Sequence, residues 1–419
     1  MELTPVALLL GQITAILLVS RGVALFTRRL GQPLVIAEMV AGIALGPSLF
    51  GLLWPSGYEV LFPASSMPVL KMLSQFGLVL FMFLVGLELD LGLLRGKRRS
   101  SVLISNVSIV LPFGLGLACA WFIYDEYAPA GVALLPFALF LGTAMSVTAF
   151  PVLARILTER GLNQSRVGAI AIACAAVDDV TAWCMLAFVV AIARANAVMD
   201  AVWTAGLAVT FTLLMVLLGK RLLRRLGDRV AARGVTSGDI VFVLVMLLVS
   251  AGITELIGIH ALFGAFLFGV CLPRHGGLAQ AMVEKLESTA VLLLMPLFFA
   301  YSGLRTELGL LGGGEQWLLA LVVIALATLG KFGGSAVAAR VTGLNWRESS
   351  AIGVLMNTRG LMELVVLNVG MDLGVITPTV FTIMVIMALV TTFATTPILR
   401  WVYAPAATRA AVGPVQGLS

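Results

Sequence analysis

The sequence predicts an all-α polytopic membrane protein of about 13 transmembrane helices, built as two inverted-topology repeats. Three observations predict it. The 419 residues are 60% hydrophobic and 11% charged, with mean hydropathy +1.07. A soluble domain carries about 25% charged residues, so this chain cannot clothe a water-facing surface. Apolar runs of about 20 residues, the length that crosses a bilayer, recur along the whole chain. The basic residues lie between those runs and concentrate in every second connection.

In order, the runs fall near 4–27, 33–52, 67–89, 100–124, 133–157, 165–194, 199–219, 238–257, 259–273, 284–304, 315–340, 347–372 and 376–402. The boundary between the eighth and ninth is the least marked. Alternate connections carry Arg28 and Arg29; Arg95, Lys97, Arg98 and Arg99; Arg155, Arg160 and Arg166; then Lys220, Arg221, Arg224, Arg225, Arg229 and Arg233. The series continues with Arg274 and Lys285, Arg340 and Arg347, Arg400 and Arg409, whereas the other connections hold Arg194 and Arg305. By the positive-inside rule the N-terminus lies outside, the C-terminus is cytoplasmic, and the number of spans is odd. The longest cytoplasmic loop is expected near 220–237, and a short tail at 403–419.

The repeat is read at two places. "GLELDLGLL" (Gly86–Leu94) in the third run matches "GLRTELGLL" (Gly303–Leu311) in the tenth. "GTAMSVT" (Gly142–Thr148) in the fifth is echoed by "GVLMNTR" (Gly353–Arg359) in the twelfth. Spans 1–6 and 8–13 then form two halves of opposite topology, with span 7 as linker, the plan of many secondary transporters.

Other classes are excluded by composition. The net charge of +6 could suggest nucleic acid, but the bases sit between apolar spans and form no single face. Cys119, Cys174, Cys184 and Cys271 lie inside apolar runs without metal-ligand spacing and read as packing. The first run lacks a basic start and a small-residue cleavage site, so it is expected to stay as a helix. No glycine-rich nucleotide fingerprint follows a strand pattern, and no soluble domain or organic cofactor is expected.

The chemistry is carried by charges that have no business in lipid. Asp178 and Asp179 lie mid-span in "CAAVDDVTAWC" (Cys174–Cys184). A carboxylate at that depth costs roughly 2.5–3.5 kcal/mol on the mildest scale. Neighbouring helical residues point about 100° apart, so the two cannot close on one object like a protease dyad. Lys331, in the eleventh span, either snorkels toward Arg340 or pairs with one aspartate, Asp178 being the choice here. That leaves Asp179 alone, where it can hold a proton or a bare monovalent cation, Na⁺ or K⁺, but not both well. The fifth span carries "SVTAFP" (Ser146–Pro151). Pro151 interrupts it, and freed carbonyls with the hydroxyls of Ser146 and Thr148 can ligate a cation. The twelfth carries Asn357, Thr358, Arg359 and Glu363, too polar for a lipid face. Arg359 and Glu363 can pair at i, i+4 or neutralise half-helix ends of the fifth span. Glu38 in the second span and Glu88 in the third, with Asp90 beside it, are candidates for an ion path. Glu255 and His260 read as interfacial. Gly42 and Gly46 read as a close helix contact.

These segments together resemble the cation:proton antiporter superfamily, with the closest look to the bacterial Kef-type and plant cation/proton exchanger branch. The matching stretches are "LGQPLVIAEMVAGIALGPSLFG", "LFMFLVGLELDL", "MSVTAFPVLARIL", "CAAVDDVTAW" and "VLMNTRGLMELVVLN", from Leu30 to Asn368. The resemblance implies a sodium/proton antiporter-like fold in which the discontinuous fifth and twelfth spans cross at their breaks. It implies a scaffold and dimer part near 1–95 and 238–310, a transport core near 100–197 and 315–402, and a linker helix at 199–219. It implies a homodimer in the plasma (bacterial inner) membrane and elevator-like alternating access. By position, Asp179 matches the carboxylate that carries cation and proton, and Asp178 the one that pairs with the membrane lysine, here Lys331. The paired aspartates look like electrogenic members. Kef-type relatives carry a C-terminal nucleotide-binding regulatory domain, and none is expected on this chain. The expected activity is exchange of Na⁺ or K⁺ for H⁺ without enzymatic chemistry. A coupled transporter of another small substrate, or an ion channel, remains the alternative.

Overall fold

A computed structural model of the chain describes residues 4–88, 98–162, 165–194 and 198–403. All regular structure among the described residues is helical. Among them twelve helices are long and apolar enough to cross a membrane, and a thirteenth, Ala261–Cys271, is shorter. Asp90, Arg95 and Lys97, the first copy of the repeat beyond Glu88, and the tail after Tyr403 lie outside the described residues.

Local chemistry sets the ends. Thr4 caps the first span (Pro5–Arg29), with Pro5 in its first turn. Capping boxes at Thr236 with Asp239 and at Asn345 with Glu348 start the eighth span (Ser237–Ile257) and the first half of the twelfth. Each satisfies backbone N–H groups that a helix start leaves without partners. The indistinct eighth–ninth boundary is a left-handed turn, with Gly258 at φ 96° and His260 at φ 80°. One expectation needs correcting. The segment near 220–237 is not a loop over most of its length, because the seventh span continues through a π turn (Met215–Gly219) into the helix Lys220–Arg233. Leu223, Gly227 and Val230 supply a buried stripe at helical spacing that the density of charge had masked.

The internal repeat is visible in how glycines let backbones touch. A Cβ on Gly42 would come within 2.3 Å of the Ala300 carbonyl oxygen, and one on Gly303 within 2.6 Å of the Met39 carbonyl oxygen. The second and tenth spans therefore meet backbone to backbone. The ninth and third do the same, with Gly269 against the Phe83 carbonyl and Gly86 against that of Phe266, both at 2.3 Å. Gly86 and Gly303 are the repeat-matched residues, each meeting a helix of the opposite half. In the second matched segment, Gly142 meets Gly116 of the fourth span and Gly353 meets the Phe332 carbonyl of the eleventh.

Helix packing sorts the spans into two groups. The first, second and tenth pack together, as do the third with the ninth and tenth and the eighth with the ninth. The fourth packs on the fifth, sixth and eleventh, and the thirteenth on the eleventh and twelfth. The seventh span touches the sixth and the eighth. The twelfth span is the most deeply enclosed, with 94% of its most apolar window buried. That burial lets it carry polar residues that lipid would not tolerate.

Because Gly42 abuts backbone rather than a movable side chain, Gly42→Val is expected to destabilise the fold by about 1–3 kcal/mol. Gly22→Ala, with nothing within 4 Å, is expected to be neutral or slightly stabilising. Thermal unfolding of the purified variants checks both.

Candidate functional site

The fifth span consists of two helices, Leu134–Ser146 and Phe150–Glu159, joined by extended residues 147–149. Pro151 falls in the first turn of the second piece, where its missing N–H costs no helical bond. The twelfth span likewise breaks between Trp346–Met356 and Leu361–Asp372. The two breaks are hydrogen-bonded to each other. Ala149 N donates to the Thr358 carbonyl at 3.0 Å, and Thr148 Oγ1 lies 2.9 Å from the Met356 carbonyl.

Four helix ends thus meet inside the protein, and charged side chains sit at three of them. Arg359 donates from Nη1 and Nη2 to the carbonyls of Ala144 and Met145, both at 2.8 Å, closing the C-terminal end of Leu134–Ser146. Asp179 accepts from the backbone N–H of Phe150, the first residue of Phe150–Glu159. Glu363 lies in the first turn of Leu361–Asp372, 3.6 Å from Arg359 Nη1. Cation at a carbonyl end and carboxylates at amide ends are the favourable signs for each helix dipole. Thr392 clasps the Arg359 backbone, accepting from its N–H and donating to its carbonyl, both at 2.9 Å.

The two adjacent aspartates have opposite surroundings. Lys331 Nζ lies 2.8 Å from Asp178 Oδ2, and both side chains are 0% exposed. The same ammonium donates to Ser108 Oγ at 2.9 Å and Thr148 Oγ1 at 2.6 Å, so its three N–H donors are all engaged. Ser105 donates to Asp178 Oδ1 at 2.6 Å and Ser108 to Oδ2 at 3.0 Å, with Thr148 2.8 Å from Oδ2. Lys331 reaches this place from a π turn, Leu329–Gly333, where Gly330 lies against Pro112 of the fourth span. Asp179 is 1% exposed, and its Oδ1 has no hydrogen-bond partner.

The other sequence candidates fall as follows. Ser146 is buried, its hydroxyl bonded back to the Thr143 carbonyl at 2.9 Å. Asn357 ends the helix Trp346–Met356 with Oδ1 unpartnered, and the Thr358 hydroxyl is also unpartnered. Glu38 lines a cavity of about 170 Å³ with Pro151 and Arg155, on the side of the basic connections. Arg21 and Arg155 are the cations that act on it electrostatically. Glu88 is exposed at the end of the third span. Glu255 lies 3.7 Å from Arg194 at the opposite side.

Sequence reasoning missed two groups. Ser105 and Ser108, at i, i+3 in an otherwise apolar run, were the available signal for a polar stripe. On the side away from the basic connections, Asp372 binds Lys71 and Arg305, each at 2.9 Å. Arg305 also donates to Asn368 Oδ1 at 2.9 Å, and Asn368 donates to Ser302 at 2.8 Å. This cluster ties the third and tenth spans to the twelfth around a cavity of only about 20 Å³.

A match to the family described as sodium/hydrogen exchanger, transmembrane, covers residues 14–402. The chain belongs to that family. It is 44% identical over 412 residues to the Na⁺/H⁺ antiporter NhaS4 of Synechocystis sp., covering 97% of this chain and all of that protein. It is 39% identical to cation/H⁺ antiporter 19 of Arabidopsis thaliana and 34% identical to K⁺/H⁺ antiporter 1 of Saccharomyces cerevisiae, covering 95% and 96% of this chain. It spans 50% and 47% of those two proteins. The sodium proton antiporter MjNhaP1 of Methanocaldococcus jannaschii has the same fold, with TM-score 0.67 at 17% identity over 95% of this chain and 97% of that one. The family member described here is a multi-pass membrane protein.

Removing one partner of the Asp178–Lys331 pair strands a buried charge. Lys331→Met is expected to destabilise by about 3–5 kcal/mol, and Lys331→Met with Asp178→Asn to restore part of the loss. Thermal unfolding in detergent checks the order.

Proposed function

We propose that this protein exchanges cytoplasmic Na⁺ or K⁺ for external H⁺, with Asp179 holding either the cation or the proton. The single observation that carries the reading is the asymmetry of the two carboxylates. Asp178 is saturated by Lys331 and hydroxyl donors, whereas Asp179 keeps a buried oxygen without a partner. A buried oxygen with no donor favours a ligand that supplies positive charge, and a proton and a small cation both do. The names of the relatives, Na⁺/H⁺, K⁺/H⁺ and cation/H⁺ antiporters, support the same exchange. No covalent step is involved, so the protein acts as a transporter rather than an enzyme.

The two packing groups support an alternating-access reading. In this reading spans 1–3 and 8–10 are the scaffold, spans 4–6 and 11–13 the moving core, and span 7 the link. The cavity beside Glu38 lies between the two groups and ends near the Phe150 end of the half-helix that faces Asp179. The bias of basic residues puts that cavity on the cytoplasmic side. The Lys71–Asp372–Arg305 cluster closes the external side, so the arrangement is inward-facing. Movement of the core would break those external ion pairs and close the Glu38 cavity. Glu38 serves as a carboxylate on the cytoplasmic approach. The homodimer and the plasma-membrane location come from the family resemblance, and the bacterial relative favours the latter.

Asp179→Asn is expected to abolish exchange while the protein still folds. Everted vesicles carrying it should hold an imposed proton gradient when Na⁺ or K⁺ is added; dissipation at the wild-type rate would overturn the assignment. Asp372→Asn is expected to loosen the external closure. In a Cys184→Ser background, Ser74→Cys, buried against the 20 Å³ cavity, should resist a membrane-impermeant thiol reagent and become reactive when Asp372→Asn is added.

A further inference from the structure

The helix that runs from Val198 through the π turn to Arg233 is about 54 Å long at 1.5 Å per residue. The hydrocarbon layer is about 30 Å thick, so this helix overruns it. Leu213, Leu214, Leu217 and Leu218 are exposed along its membrane part. Directly after them, Lys220, Arg221, Arg224, Arg225 and Arg229 are all exposed. The change from lipid-facing leucine to base therefore occurs at headgroup level, with Leu222, 60% exposed, still among the first bases.

The face is fixed rather than free to turn. The buried stripe Leu223, Gly227 and Val230 packs toward the connection after the ninth span, where a Cβ on Gly227 would come within 2.7 Å of Pro273. At about 100° per residue Arg221, Arg225 and Arg229 face away from that stripe, with Arg224 on its flank and Lys220, the first of the five, nearer to it. The acid among these bases, Asp228, is held by His275 at 2.8 Å; the helix's other acid, Asp200, lies in its first turn at the opposite end. Arg233 belongs to a different pair, with Asp239 at 2.7 Å. Among the described residues no carboxylate pairs with the five bases.

We propose that this basic cluster binds the phosphate groups of anionic phospholipids in the adjoining leaflet and so anchors the linker helix. Five cations rooted where a lipid-facing run ends meet headgroup phosphates before they meet soluble anions. Basic side chains at a charged bilayer surface each strengthen binding by roughly fivefold.

The test uses the purified full chain in neutral detergent, titrated separately with phosphatidylglycerol, phosphatidylcholine and glycerol 3-phosphate while thermal unfolding is followed. Phosphatidylglycerol is expected to raise Tm, since a ligand of the folded state stabilises it, and the other two to leave it unchanged. R221Q/R224Q/R225Q/R229Q should need on the order of several hundredfold more phosphatidylglycerol for the same rise, and the matching four-lysine variant should respond as wild type. High salt should suppress the wild-type rise, a measurement that stands even if the glutamine variant does not fold. An equal response from the glutamine variant, the same rise from glycerol 3-phosphate, or loss of response in the lysine variant would overturn the proposal.

Discussion

Everything at the centre of this molecule depends on placing charge where water cannot solvate it. Breaking two helices mid-membrane exposes backbone dipole ends in a low-dielectric interior, and each end calls for a charge of opposite sign. Arg359 serves the carbonyl end of the first half of the fifth span. Asp179 stands at the amide end of its second half, and Glu363 at that of the twelfth span. The breaks thus create the need for buried charge, and the charges in turn hold the breaks together across segments far apart in the chain.

The same logic separates the two aspartates. They are neighbours on one helix, so burial and depth are nearly equal and cannot distinguish them. Direction does. The side of the sixth span that carries Asp178 meets the fourth and eleventh spans, which bring Ser105, Ser108 and Lys331. The side that carries Asp179 meets the break of the fifth span, which offers one backbone amide. A network that uses all three donors of an ammonium is rigid, whereas a carboxylate with an idle oxygen is ready to change its partner.

Much of this was legible in the sequence because lipid makes polar residues conspicuous. Thirteen apolar runs, the broken fifth and twelfth spans, and the Asp178–Lys331 pairing all follow from the cost of charge in hydrocarbon. What was not legible depended on direction or distance. Ser146 and Thr148 are expected to offer hydroxyls to a cation, yet the Thr148 hydroxyl lies within hydrogen-bond reach of Asp178 Oδ2 and Ser146 bonds to its own helix. A hydroxyl near a break can turn to several acceptors, and sequence does not say which. Arg305 and Asp372 lie at span ends, where charge is unremarkable, so their contact with Lys71 could be found only from the fold. The helix Lys220–Arg233 was hidden by its own charge, its small buried stripe interrupted by a glycine.

The closed side and the cavity side differ in kind as well as in size. The closed side is held by an ion-pair cluster that joins the third, tenth and twelfth spans, and such pairs are directional: a small sliding of the twelfth span breaks several contacts together. The cavity side is lined mostly by apolar residues around Glu38, which can slide over one another at little cost. The two sides of the site are thus held together by different physics: directional ion pairs on one, non-directional apolar packing on the other.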